Sequence, residues 1–320
     1  MPLLERWRNI PERRTEAQAA GVDASGAADG LARGTRSVRR RNRLGLFETC
    51  ANPACNSGWL HLWRSRAVPV FEEGWTCSAE CTRERMAAAV AREMEGRYGG
   101  RAPHHHRIPL GLLMLEQGWI TQGQLRRALE AQKSAGARRL GDWLLDQEAV
   151  SEERITRALG LQWSCPVLPL ELHDPAALTG VMPRLFVDAF GALPFRGAAG
   201  RVVYLGHEEA PDPVLALAVE RMTGLRVESG LVQGSRFREA HARMLEAKFP
   251  AVDLVEAVSQ AAACYVLARA VERARCAEAR LVRVHDCLWL RTWKRVPGEG
   301  LPRPDAIEDV VCSIGGIQAT

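Results

Sequence analysis

Lysine is nearly missing from this 320-residue chain: of 43 basic residues only Lys133, Lys248 and Lys294 are lysines. A phosphate-binding loop requires Gly-x-x-x-x-Gly-Lys-Ser/Thr. Only Lys133 precedes a serine, and Gln132 stands where the glycine is needed. The chain is therefore expected not to be a nucleotide-hydrolysing motor. No apolar run approaches the ~20 residues of a membrane span, and Met1-Pro2-Leu3-Leu4-Glu5-Arg6 lacks the apolar centre of a signal peptide. Both absences point to a cytoplasmic protein. No segment brings a nucleophile, a base and an orienting group together, so no enzymatic activity is expected. The net charge of +5 is spread along the chain, which is not the footprint of a dedicated nucleic-acid binder. The nine cysteines are odd in number and uneven in spacing. In a chain without an export signal they argue for metal binding and buried thiols rather than disulfides.

What the chain does contain is one pattern written twice, thirty residues apart. Leu110-Gly111 and Leu140-Gly141 open the copies. Gln117 and Gln147, Ile120 and Val150, Thr121 and Ser151, Leu125 and Ile155, Ala128-Leu129 and Ala158-Leu159, and Gln132 and Gln162 then match without a gap. Each copy reads as a helix, a break and a second helix. Gly118 breaks the first copy. Thr121 then caps the next helix, with Gln124 completing a capping box, and Ser151 does the same for the second copy. Two such hairpins predict a small four-helix unit.

Cys50-Ala-Asn-Pro-Ala-Cys55 and Cys77-Ser-Ala-Glu-Cys81 supply four thiols in two close pairs around an aromatic insert. That spacing suits a tetrahedral structural zinc site with Cys50, Cys55, Cys77 and Cys81 as ligands. The insert, with Trp59, Trp63, Phe71 and Trp75, is too small a core to fold without a staple. Cys81 opens an Ala-rich helix running to about Arg97. The segment resembles treble-clef zinc fingers ending in a Cys-Ser-x-x-Cys helix start, although the first pair is spaced by four residues rather than two.

The expected fold class is α+β and multi-domain. A disordered basic tail covers 1–47, the four-cysteine zinc module and its helix 48–99, and the tandem helical unit 107–165. A small α+β subdomain follows over 166–250, and a C-terminal helix with a β-hairpin over 251–320. The subdomain reads as a hairpin (192–196 with 201–205), a helix from Pro213 capped by Asp212 and ended by Gly224, strand material near 225–232, and a helix from Ser235. Residues 252–279 read as one long amphipathic helix. Leu281–Val284 and Cys287–Trp293 follow as a hairpin turning at His285-Asp286. His104–His106 reads as a solvated linker, and the last twenty residues are weakly specified.

From about Arg107 to Pro250 the chain resembles the N-terminal, MshEN-type domain of type II secretion and type IV pilus assembly ATPases. The tandem Arg-Leu-Gly motifs, each followed by Leu-x-x-x-Leu-x-x-Gln, and Thr223-Gly224-Leu225-Arg226-Val227 carry the resemblance. It implies binding of cyclic di-GMP on Arg107, Leu110, Gly111, Leu125, Leu129 and Gln132 of the first copy. In the second copy it implies Arg139, Leu140, Gly141, Ile155, Leu159 and Gln162. Pro109 replaces the first motif arginine, with Arg107 two residues upstream, and Glu148 replaces the second motif glycine. The expected function is a non-enzymatic regulatory or adaptor protein linked to secretion or pilus machinery proteins. Two alternatives stand beside it: a protein-interaction module with a decayed nucleotide site, whose leucines only pack a core, and a nucleic-acid-binding regulator using the basic tail and the zinc finger.

Overall fold

The computed structural model describes residues 50–56, 69–95, 107–135, 138–169, 174–196, 201–298 and 300–314. The basic tail, Trp59, Trp63, His104–His106 and the turn at 197–200 lie outside the described residues. In chain order, a hairpin of β1 (Val70–Phe71) and β2 (Gly74–Trp75) leads to α1 (Ala79–Glu95). The repeat supplies α2 (Leu110–Glu116), α3 (Gln122–Ala135), α4 (Leu140–Asp146) and α5 (Glu152–Trp163). Next come α6 (Arg184–Phe190), β3 (Ala192–Arg196), β4 (Val202–His207), α7 (Pro213–Thr223), β5 (Arg226–Leu231) and α8 (Gly234–Glu246). The chain continues with β6 (Val252–Glu256), α9 (Gln260–Ala274), β7 (Glu278–Val284), β8 (Cys287–Trp293) and β9 (Ile307–Ser313). Among the described residues no helix is long and apolar enough to cross a membrane.

The repeat folds by exchange between its two copies. Its core is four pairs of equivalent residues: Met114 and Leu144, Ile120 and Val150, Leu125 and Ile155, Ala128 and Ala158. The first helix of each copy packs on the second helix of the other, α2 on α5 and α4 on α3. Gln132 Nε2 donates to the Arg138 carbonyl (3.0 Å) and Gln162 Nε2 to the Ile108 carbonyl (2.8 Å), so each copy's glutamine closes the other copy's start. The caps follow the sequence. Gln124 Oε1 accepts from Thr121 N at 2.8 Å, and the Ser151 side chain accepts from Arg154 N. Gly118 breaks the first copy in left-handed backbone (φ 66°), and Glu148 is forced into the same conformation (φ 51°) at the equivalent position.

In the α+β unit, β3 is antiparallel to β4, which is parallel to β5 across the α7 crossover. Asp212 accepts from Val214 N and Leu215 N at the start of α7, and Gly224 ends that helix at φ 73°. Beyond residue 250 the expectation of one helix from 252 to 279 is corrected. Val252–Glu256 is a strand parallel to β9, and the helix starts only after Ser259, whose side chain accepts from Ala262 N. Apolar residues at 252, 254, 255 and 258 fit either period, and the partner that decides between them lies in the C-terminal residues. Of the last twenty residues, expected to be weakly specified, Ile307–Ser313 is a regular strand: β9 runs through the middle of a four-stranded sheet in the order β6-β9-β8-β7.

Both faces of this sheet are covered, so every residue of β8 is buried. On one face Val282, Trp289 and Val311 share a core with Leu205, Leu215, Val219 and Met222 of the α+β unit. On the other face Leu281, Leu290 and Val310 meet Leu267 and Val271 of α9 together with Phe71, Met86 and Val90 of the cysteine-bearing segment. The segments expected as separate units thus share their cores. Two ionic clusters are sealed inside. Arg291 is bidentate with its cross-strand partner Asp309 (2.7 Å each), and Glu93 of α1 receives Arg221 of α7 at 2.6 and 3.0 Å and Arg283 N of β7 at 3.1 Å.

Two stability effects are expected. Left-handed backbone costs a non-glycine residue ~1 kcal/mol or more, so Glu148→Gly should raise unfolding free energy by about 0.5–1 kcal/mol in urea titration, glycine's extra chain entropy taking back the remainder. His207 is only 2% exposed, with no partner found for Nε2 among the described residues. Burial lowers its pKa to about 4, against the pull of the Asp212 charge. Its neutral form is then favoured by folding at neutral pH, and that stability is lost as pH falls from 6.5 towards 4. The loss should approach ~3 kcal/mol, and His207→Gln should flatten that part of the stability–pH curve.

Candidate functional site

Two constellations carry chemistry. The first is the cysteine cluster. Asn52 Oδ1 accepts from Ala54 N (3.1 Å), and the Cys55 N–H returns to the Asn52 carbonyl (3.1 Å), which turns the Cys50–Cys55 segment back on itself. The hairpin after it reverses through Glu72 and Glu73, both in left-handed backbone. Ser78 Oγ then caps α1 by accepting from Cys81 N, placing Cys81 in the first turn. The result gathers Cys50, Cys55, Cys77 and Cys81 with all four Sγ atoms within 4.8 Å of one another, and with Cys55–Cys77 and Cys77–Cys81 separations of 3.6 Å. A tetrahedron with Zn–S bonds of about 2.3 Å has S···S edges of about 3.8 Å. The donor set and its spacing fit zinc, and four thiolates leave no open coordination position for catalysis. Burial pushes the Cys50 thiol up to about 12, the Cys77 and Cys81 thiols adding to the effect against backbone hydrogen bonds from Asn52 and Cys77. A bound dication would reverse that balance and release protons.

The second is the exchanged repeat. Gly111 and Gly141 face equivalent residues, Leu125 and Ile155, but only Gly111 is a close approach. A Cβ on Gly111 would lie 2.6 Å from Leu125 Cδ1 and 3.2 Å from Leu140 Cδ2, and one on Gly141 would lie 3.4 Å from Ile155 Cγ2. The two Leu-Gly starts are therefore neighbours. Leu110 and Leu140 are half-buried, whereas Leu125 and Ile155 are buried in the core of the unit. Leu129 is exposed and Leu159 half-buried. Gln132 and Gln162 are committed to the carbonyls of the opposite copy. Arg107 is exposed and lies over the Trp163 ring, 3.3 Å from its centroid. Arg139 is exposed and forms an ion pair with Glu209, in the loop after β4.

Sequence reasoning missed several of these residues. Trp163 under Arg107 and Glu209 on Arg139 belong to other elements, and no spacing rule links them. Glu152 opens α5, but its carboxylate reaches the α+β unit, accepting from Ser235 N (2.6 Å), Ser235 Oγ (2.7 Å) and Gln233 Nε2 (2.9 Å). An acidic residue in a first helical turn signals a helix start and does not reveal a second partner.

No family model matches this chain. The type IV pilus assembly ATPase PilB of Thermus thermophilus is 30% identical over 140 residues, covering 42% of this chain and 15% of that protein. Bacteriophage adsorption protein B of Escherichia coli K12 is 30% identical over 125 residues, covering 39% of this chain and 16% of its own. Among solved structures, MshE with cyclic di-GMP is 28% identical over 43% of this chain and 99% of that chain, with a TM-score of 0.34. The N-terminal domain of XpsE is 20% identical over 41% and 90%, with a TM-score of 0.23. A stretch covering 42% of this chain is thus similar to part of a type IV pilus assembly ATPase. The chain spans 15% and 16% of the length of the curated relatives it matches.

Because Phe71, Met86 and Val90 belong to the core of the C-terminal sheet, metal should stabilise far more than the cysteine loop. Purified protein should hold about one zinc per chain. Chelation should lower protection from hydrogen exchange in β7 to β9 as well as in α1, and Cys77→Ser should do the same. Protein that contains no metal when prepared without chelator, with β7 to β9 equally protected in both forms, would refute the zinc reading.

Proposed function

We propose that this chain is a non-enzymatic regulatory or adaptor protein whose tandem unit binds cyclic di-GMP in the service of type II secretion or type IV pilus machinery. The zinc it binds is structural. The observation that carries the nucleotide reading is the exchange between the repeat copies, which sets two equivalent Leu-Gly starts side by side. Cyclic di-GMP is itself two identical halves, each with a guanine and a phosphate, so a duplicated surface meets a duplicated ligand. The exposed Arg139 guanidinium can pair bidentately with guanine O6 and N7 or stack on its face. Arg107, already stacked on Trp163, is the corresponding cation of the first half despite Pro109. Half-buried Leu110 and Leu140, with exposed Leu129, offer apolar cover for purine and ribose.

A second reading, a protein-docking module without nucleotide, is favoured by Ile108, Leu112 and Leu161, which are 52–54% exposed around the α2–α5 contact. Calorimetry on the whole chain separates the two. Arg139→Ala should weaken cyclic di-GMP binding by ~1–3 kcal/mol, the scale of one bidentate arginine–guanine contact, and should leave the unfolding transition in place. Heat indistinguishable from dilution at tens of micromolar nucleotide would remove the nucleotide reading and leave the docking module.

A further inference from the structure

The loop joining β4 to α7, Glu208 to Asp212, is acidic, and it lies against the start of the second repeat copy. Its acids have separate partners. Glu208 is paired with Arg238 of α8, and Asp212 caps α7 and holds His285 Nε2 at 2.7 Å. Glu209, by contrast, reaches across to the repeat and pairs with Arg139. Arg139 is also the cation on which the nucleotide reading depends in the second half. In the first half Pro109 stands at the equivalent position, and the cation two residues upstream, Arg107, rests on an aromatic ring.

We propose that Glu209 is an internal competitor for the ligand of the tandem unit, so that an anionic nucleotide must displace it from Arg139. This inference rests on the nucleotide reading and adds its regulation. Three observations support it. The pair is accessible, with the Arg139 and Glu209 side chains 63% and 48% exposed, so a ligand can reach the arginine and the glutamate can swing away. Glu209 depends on that arginine. Burial holds its carboxyl above the usual range, Arg139 opposes the shift, and Glu208 and Asp142 add to it. Once Arg139 turns to a ligand, Glu209 faces two like charges and the loop has reason to move. Finally, the second hairpin stays docked without the pair, because Glu152 holds Gln233 and Ser235 at the start of α8 through three hydrogen bonds. The exchange of partners is therefore local to the β4–α7 loop, which becomes the part of the α+β unit that senses occupancy. The two halves of the site are unequal: the second is gated by a carboxylate, and among the described residues the first is not.

The test is calorimetry with cyclic di-GMP on the full chain as wild type, Glu209→Gln, Glu208→Gln, Arg139→Ala and the Arg139→Ala/Glu209→Gln double variant. Removing the competing charge at Glu209 should tighten binding about 2- to 5-fold, the range that an exposed ion pair spans. The gain should vanish in the Arg139→Ala background, as a direct pair requires, and Glu208→Gln should give less than Glu209→Gln. Wild type that binds with Glu209→Gln no tighter overturns the competitor while the nucleotide reading stands. Equal gains from Glu208→Gln and Glu209→Gln, or a gain that persists without Arg139, show diffuse charge and overturn it as well. No binding by wild type and by Glu209→Gln overturns both.

Discussion

Glu93 places a carboxylate where no solvent reaches it, near the end of the helix that begins at the cysteine cluster. An unpaired charge in such a place costs several kcal/mol, so the surroundings must supply partners from three directions at once. Arg221 comes from the crossover helix of the α+β unit, the Arg283 N–H from the edge strand β7, and Arg92 from the same helix. Burial alone would raise the carboxyl's pKa. The Arg221 hydrogen bonds and charge, with Arg92 and the Arg283 amide, bring it below the ordinary range. Because one carboxylate needs all of them, the cysteine-bearing helix, the α+β unit and the C-terminal sheet cannot part without stranding it. A cysteine cluster that looks like a detachable finger is thereby a structural part of the larger body.

The tandem unit obeys a different constraint. Each hairpin alone would leave its apolar stripe in water, and exchange of partners between copies closes one core from four equivalent pairs. The same exchange brings Gly111 beside Leu140 and gives each motif glutamine a carbonyl of the other copy. Core packing and the candidate ligand surface are therefore two sides of one arrangement. Leu125 and Ile155 face inward, and the arginines face outward. Equivalence fails at Arg139, which is matched by Pro109 in the first copy and is paired with Glu209 of the α+β unit, and that difference gives the two halves different chemistry.

Local signals in the chain determined a good deal. The capping box at Thr121 and Gln124, the Ser151 and Asp212 caps and the stop at Gly224 each express an interaction within a few residues, and each appears in the fold, while the two close cysteine pairs meet in one cluster. The duplicated pattern likewise implied two hairpins, since equivalent residues must occupy equivalent surroundings. Tertiary structure alone decided the rest. Val252–Glu256 became a strand because β9, far along the chain, offers it a hydrogen-bonded partner, and an apolar spacing that fits both periods carries no record of that partner. Glu93 and Glu209 look like ordinary surface acids in the sequence. Their charges acquire meaning only when folding brings Arg221 and Arg139 to them, because an ion pair across distant elements depends on their packing and leaves no spacing to read.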